Sequence, residues 1–491
     1  LTEEKGVGNF YIGQLSEYDD FFNFIYKNNI VPLPIRSIKS KGIKKVYDIS
    51  VKDHQYFLAN GFIVHNCYGM SAVGLAARLG ITKKRAEDYI NRYFKKYKGV
   101  KNFLNKLARD AVMNKFSRTI AGRKRYYDLP PYDHPDRKKI QGAVERKGKN
   151  TPIQGCLSAG TIVVGCGNIE NIEGKKVLIE TGFGNDTAVG VYSGHKDVYE
   201  LTLSNGIKLG VTLDHKIPVV KDALDAEVFY DKSVRELSCE DLLMIPLKII
   251  DGASTDLSGY TYEKNHWRET FKEFDLPSVM TDKLSFVIGC IIGDGNYSYY
   301  NNFSLVCSEK EKELIEKFNK CVKELFGYEP VVKPNYVYSK NKKRKTMLLH
   351  SKVSSVVIRG FLKYIGLEYV TCRDKEIPEY FFTETVRNKG SLLNGLFSTD
   401  GGVTRQSGPS LTTVSPKLAI GVHNLLFSMG INSNLKDYIV DGESVYRIQI
   451  PKRFNRRFAK LIGFSVYNKQ SLLLAEGCDP MHGDGSLVPQ F

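Results

Sequence analysis

Apolar and polar residues alternate over short runs in two regions of this 491-residue chain that lie far apart, and they follow a helical period between and after those regions. Val46-Tyr-Asp-Ile-Ser-Val51 and Asp53-His54-Gln-Tyr-Phe57 read as strands, and Asn60-Gly61 between two apolar runs reads as a tight hairpin. Tyr199–Leu203 and Ile207–Val211 alternate around Asn205-Gly206, a second hairpin signal. From Thr82, an N-cap, apolar residues fall at Ala86, Tyr89, Ile90, Tyr93, Phe94 and Tyr97, and Gly99 breaks the helix. A second helical stripe runs through Val100, Phe103, Leu104, Leu107, Ala108, Ala111 and Val112. Each helix is expected to bury that stripe and turn a cationic face outward. Further on, two apolar helices with small residues four apart end alike, in Gly289-Cys-Ile-Ile-Gly293-Asp294-Gly295 and Gly395-Leu-Phe-Ser-Thr399-Asp400-Gly401, their acids 106 residues apart.

Charge sharpens this division. Of the formal +17, residues 67–155 carry +15, from 22 Lys and Arg against 7 Asp and Glu. So dense an excess on a strongly patterned segment points to a polyanion-binding surface, a solvated face being the plainer alternative. No apolar run approaches membrane-spanning length and no signal peptide opens the chain, so no membrane partner is expected. Nine cysteines without a Cys-x-x-Cys pair favour a reducing compartment, and a cytoplasmic location is expected. Leu1 in place of Met suggests a fragment.

Two junctions bear peptide-bond chemistry. In His65-Asn66-Cys67 the Asn66 amide can attack its own carbonyl and release whatever begins at Cys67. In Cys156-Leu-Ser-Ala-Gly-Thr161 the thiolate can attack the Gly155 carbonyl and convert that amide to a thioester. Alone, either motif is an ordinary turn. With the hairpin before Asn66 and with Thr212-Leu-Asp-His215 after the second hairpin, the set resembles the intein (protein-splicing) family, its carboxy-terminal blocks in 43–67 and its amino-terminal blocks in 156–220. The resemblance implies that His215 protonates the leaving nitrogen, Thr212 orients the amide, Asp48 tunes the nucleophile, and His65 and His54 assist Asn66, with Cys67 the acceptor nucleophile. His54 reads equally as a solvent-facing strand residue. No cofactor is implied for splicing.

Between the junctions, Tyr68-Gly-Met-Ser71, Gly122-Arg-Lys-Arg-Tyr126 and Arg146-x3-Asn150-Thr-Pro-Ile-Gln-Gly155 resemble the bacterial DNA polymerase I family (family A). That resemblance implies primer–template contacts by Tyr68, Arg123, Arg125, Arg146, Asn150 and Gln154. The metal-binding aspartates of that family have no counterpart in this segment, so polymerisation by this chain alone is not expected.

The paired Asp-Gly helices resemble the LAGLIDADG (dodecapeptide) homing endonucleases. Small residues let the helices approach closely, and the acids then meet at a pseudo-twofold axis. The resemblance implies Mg²⁺ held by Asp294 and Asp400 for hydrolysis of both strands of double-stranded DNA. Lys375, before Ile377-Pro378, matches a central lysine of the family, although a surface lysine reads as well. Lys342, Lys343 and Arg344 are expected on a loop along the DNA backbone, a solvated loop being the alternative.

The expected fold is multidomain: β-rich Hint-type splicing halves, an α-helical polymerase fragment, and an α+β pseudo-twofold LAGLIDADG endonuclease. The boundaries are 1–66 (the end of a first intein), 67–155 (polymerase), 156–250 (the start of a second intein), 251–475 (endonuclease) and a tail at 476–491. On this reading the missing intein and polymerase segments are partners, and the two halves need not fit one another because they derive from different insertions. Two alternatives stay open: a DNA-binding polymerase piece with passenger inteins, and a permuted intein that closes residues 67–155 into a ring.

Overall fold

The computed structural model describes residues 30–51, 56–65, 82–118, 124–131, 133–150, 156–181, 185–220, 229–247, 249–262, 274–298, 302–339, 344–368 and 370–476. Asn66, Cys67, His54, Tyr68, Arg123, Gln154, Lys342 and Lys343 lie outside these residues, as do the side chains of Arg125, Arg146, Asn150 and Arg344.

The first region forms β1 (Ile30–Val51), β2 (Tyr56–Ala59) and β3 (Phe62–His65). Asn60 and Gly61 both have positive φ, as a tight turn between β2 and β3 requires. After the polymerase-like segment come β6 (Leu157–Ser158), β7 (Ile162–Val163), β8 (Gly167–Asn168), β9 (Lys176–Glu180) and β10 (Asn185–Leu203). They are followed by β11 (Lys208–Val211), β12 (Lys216–Val220), β13 (Phe229–Ser233) and β14 (Leu242–Pro246).

The two regions build one β domain. Its eight-stranded sheet runs β13-β12-β14-β1-β6-β11-β10-β9, and β1 also pairs β10 antiparallel from Ile35↔Leu203 to Val51↔Ala188, interrupted by three bulges. A smaller sheet, β3-β2-β7-β8, again mixes the two regions. Asn60 pins them together, its Oδ1 accepting from Ile162 N–H at 2.7 Å and its Nδ2 donating to the Lys208 carbonyl at 3.0 Å. The expectation that the halves need not fit one another is thus corrected. Strands with unsatisfied backbone edges and alternating apolar residues pair wherever register allows, and here each half supplies the edge that the other lacks.

Residues 82–150 form α1 (Lys83–Lys96), α2 (Lys98–Met113), a hairpin of β4 (Phe116–Arg118) and β5 (Lys124–Tyr126), and α3 (Arg137–Asn150). Thr82 caps α1 by accepting from Arg85 N–H. The break falls at Tyr97 rather than Gly99, which lies inside the first turn of α2. Only the end of α2 buries its stripe, where Gly148 of α3 comes so close that an added Cβ would meet Ala111 Cβ at 2.4 Å. Tyr89, Tyr93 and Tyr97 at and beyond α1 and Phe103 of α2 are exposed, contrary to the expected burial.

The remainder is two similar halves. Helix α4 (Asp282–Ile292) leads into β15 (Gly295–Ser298), β16 (Asn302–Ser308), α5 (Lys312–Phe326), β17 (Val331–Ser339), β18 (Arg344–Ser354) and α6 (Val356–Tyr364). Helix α7 (Val386–Thr399) leads into β19 (Gly401–Gly402), β20 (Ser410–Thr413), α8 (Pro416–Ser428), β21 (Asn434–Val440), β22 (Glu443–Gln449), α9 (Asn455–Leu461) and α10 (Tyr467–Glu476). Each half carries a four-stranded antiparallel sheet of like order, β15-β16-β18-β17 and β19-β20-β22-β21. The Arg344 backbone lies in β18, not in a loop, because the charged run flanks a hairpin whose arms are long strands. This body abuts the β domain: Glu379 accepts from Asn168 N–H and Asn171 Nδ2, and Asn205 Nδ2 donates to Asn432 Oδ1 in a buried contact.

Candidate functional sites

Helices α4 and α7 touch backbone to backbone. A Cβ on Gly289 would stand 2.0 Å from the Leu392 carbonyl oxygen, one on Gly395 would stand 2.4 Å from that of Phe286, and one on Gly293 would stand 1.9 Å from Thr399 Oγ1. Only residues without a side chain permit this crossing, which carries the helix ends, and with them Asp294 and Asp400, to one point. The two carboxyls share a side-chain hydrogen bond. Asp400 keeps an exposed flank, yet it is held well above the usual carboxylate range, first by loss of solvent and then by the charge of Asp294.

Two lysines flank the acids and pull Asp400 the other way. Lys375 Nζ donates to the Gly293 carbonyl, and Lys469 Nζ donates to the Ser398 and Thr399 carbonyls at 2.7 and 3.3 Å. Each ammonium therefore caps the C-terminal end of one of the crossed helices, beside its acid. Sequence reasoning named Lys375 and missed Lys469. A signal existed, since each lysine follows the acid of its own half, by 81 and 69 residues.

The second site lies in the β domain. Cys156 is fully buried between Val46 and Val198. Its backbone N–H, the nitrogen of the bond to Gly155, donates to Thr212 Oγ1 at 2.9 Å, and Thr212 N–H returns a bond to the Cys156 carbonyl. His215, also buried, closes the same turn by donating its N–H to the Thr212 carbonyl. Asp48 on β1 is buried close enough for its charge to raise the Cys156 thiol, after burial, the larger cause. Lys196 Nζ on β10 approaches Cys156 Sγ to 2.9 Å, a contact that sequence reasoning did not find.

At the end of β3, His65 is buried with Nε2 3.4 Å from Asp231 Oδ2 and with its ring edge-on to Tyr56. The Tyr56 hydroxyl donates to the same carboxylate at 3.0 Å. Asp231 was likewise missed, because it sits in a short five-residue strand with no motif around it. In the segment between the junctions, Arg146 and Asn150 stand one turn apart on α3, and Arg125 lies in β5.

Comparison with known proteins bears on both bodies. Residues 50–166 match DNA polymerase family A, and residues 388–463 match the LAGLIDADG-like domain. DNA polymerase I of Lactococcus lactis subsp. cremoris is 37% identical over 114 residues, covering 23% of this chain and 12% of that protein. A DNA polymerase of Thermococcus hydrothermalis is 28% identical over 205 residues, 39% of this chain and 12% of its own length. The chain thus spans about an eighth of these relatives. Solved structures that resemble part of it include mesophilic variants of the homing endonuclease I-DmoI, 18% identical, covering 37% of this chain and 94% of that one, with TM-score 0.27. Full-length DUF199/WhiA from Thermatoga maritima is 17% identical, with coverages of 40% and 59% and TM-score 0.28. The chain joins a family A DNA polymerase segment to a LAGLIDADG-like domain. No helix among the described residues is long and apolar enough to cross a membrane.

Proposed function

We propose that this chain is a site-specific DNA endonuclease carried, together with protein-splicing chemistry, inside a DNA polymerase sequence. The observation that carries the reading is the meeting of Asp294 and Asp400 at the ends of two helices crossed through glycine. Two carboxylates forced together repel, and a divalent cation between them relieves that repulsion, so the pair fits Mg²⁺ as hard oxygen ligands. Such an ion supplies charge neutralisation and a more acidic water. The chain's own residues do the rest: Lys375 and Lys469 hold the two helix ends and set positive charge beside the scissile phosphates, while the paired four-stranded sheets span the duplex.

The test is cleavage of duplex DNA encoding the uninterrupted polymerase sequence across the Gly155–Cys156 junction, with Mg²⁺ supplied. Both strands of this duplex should be cut, and Asp294→Asn or Asp400→Asn should lower the rate at least 100-fold. Parental rates in both variants, or undiminished cutting in excess chelator, would remove the metal-assisted mechanism.

For splicing, Cys156 is the nucleophile of an acyl shift at Gly155, Thr212 and His215 serve the amide nitrogen, and His65 with Asp231 serves Asn66. The match to the Thermococcus polymerase covers 39% of this chain, more than the 89 residues between the junctions can hold, and this supports material of a shared kind outside the polymerase segment. The β1–β10 pairing also favours a second reading, in which the two halves act on each other and release residues 67–155 as a ring.

A further inference from the structure

Cys156 presents a chemical difficulty that Thr212 and His215 do not meet. A thiol attacks a carbonyl as the thiolate, and this one is fully buried, which pushes the thiol up and keeps it protonated. Asp48 adds a further upward push by its negative charge. Nothing among the residues read from the sequence opposes either effect. Lys196 does. It lies on β10 opposite Lys44 of β1, two positions before Val198, which packs on Cys156, and its Nζ stands 2.9 Å from Sγ. Its charge, and then its hydrogen bond, pull the thiol down, with a smaller hydroxyl contribution from Ser193.

We propose that Lys196 is a catalytic residue of the acyl shift at Cys156, its ammonium, 2.9 Å from the sulfur, stabilising the thiolate as it forms for attack on the Gly155 carbonyl. The proposal rests on the splicing reading given above. In the step, the sulfur–carbon bond forms and the carbon–nitrogen bond breaks. The thiol proton passes to water, the nitrogen takes a proton from His215, and His215 is reprotonated from water, so one proton moves in net from sulfur to nitrogen. Lys196 stays protonated throughout and transfers nothing. Around the scissile bond stand the Lys196 ammonium and the Ser193 hydroxyl of β10, the Asp48 carboxylate of β1, and the Thr212 hydroxyl on the nitrogen.

The position has a second consequence. Lys196 reaches Cys156 from the half that carries Cys156 itself, whereas Asp48 arrives only when β1 pairs with β10.

The experiment uses the full chain with Lys196→Met and Lys196→Arg. Dithiothreitol-induced cleavage between Gly155 and Cys156 is followed across pH, and the Cys156 thiolate is titrated by its absorbance at 240 nm against a Cys156→Ser reference. Lys196→Met should cut slowly by at least tenfold at neutral pH, with its profile moved up by about one unit or more so that the deficit narrows at high pH. Its thiolate midpoint should rise with it. Lys196→Arg should keep most of the activity and the parental midpoint, which guards against loss of fold. A deficit in Lys196→Met that is constant with pH, or an unmoved thiolate midpoint, overturns the proposal. Absence of cleavage in the parent at every pH would defeat the splicing reading instead, and the thiolate titration would still decide whether Lys196 holds the sulfur.

Discussion

At the scale of single residues, the chain places ionisable groups where burial and neighbours change their behaviour. His423 on α8 is a case outside both sites. It is buried, its Nδ1 lies 2.6 Å from Ser433 Oγ, and burial lowers it to about 4. A histidine held below its unfolded value is neutral when folded, and the unfolded chain binds the extra proton. Its contribution is therefore present in full above about pH 6.5 and is lost as pH falls from there toward 4, a change of roughly 3 kcal/mol. Urea midpoints of the full chain should fall over that window, and His423→Gln should flatten the slope. An equal slope in the variant would assign the acid sensitivity to other groups.

The residues that sequence reasoning recovered share a property: local chemistry marks them. Asn60-Gly61 demands positive φ, Thr82 caps a helix, and an Asp-Gly ending repeated after 106 residues reports two like helices. Lys196, Asp231 and Lys469 meet partners 40 to 175 residues away, and nothing in their own neighbourhoods distinguishes them from surface charge.

At the scale of elements, the crossing of α4 and α7 sets the geometry of the LAGLIDADG-like body. Gly395→Ala must displace a backbone carbonyl that would otherwise lie 2.4 Å from the new Cβ, and it should cost about 1–3 kcal/mol or more. Calorimetry should show the LAGLIDADG-like body melting several degrees lower, and cleavage should fall as the acids separate. An unchanged melt would mean that the helices can part without penalty. The pairing of β1 with β10 was harder to foresee, because alternation in one strand tells which face is buried and says nothing of which distant strand will lie beside it. The exposed stripe of α1 has a related origin: periodicity predicts a face to be covered and leaves the covering element unnamed.

At the scale of the whole molecule, the charge excess sits between the two junctions. If that cationic segment meets DNA through phosphates, the affinity of the full chain for random duplex should fall steeply with salt, by a factor of 100 or more between about 50 and 200 mM. Fluorescence anisotropy measures it, and a shallow dependence would argue against phosphate contacts as the source of affinity.

Two separate stretches of one chain form a single β domain, and this pairing carries the proposal that they act as one splicing unit. Intact mass spectrometry of the full chain in reducing buffer tests it most directly. The account predicts an 89-residue product, 67 to 155 inclusive, one water lighter than the linear peptide and absent from Asn66→Ala and Cys156→Ala variants. A chain that stays at full mass, or yields only linear fragments, would contradict it.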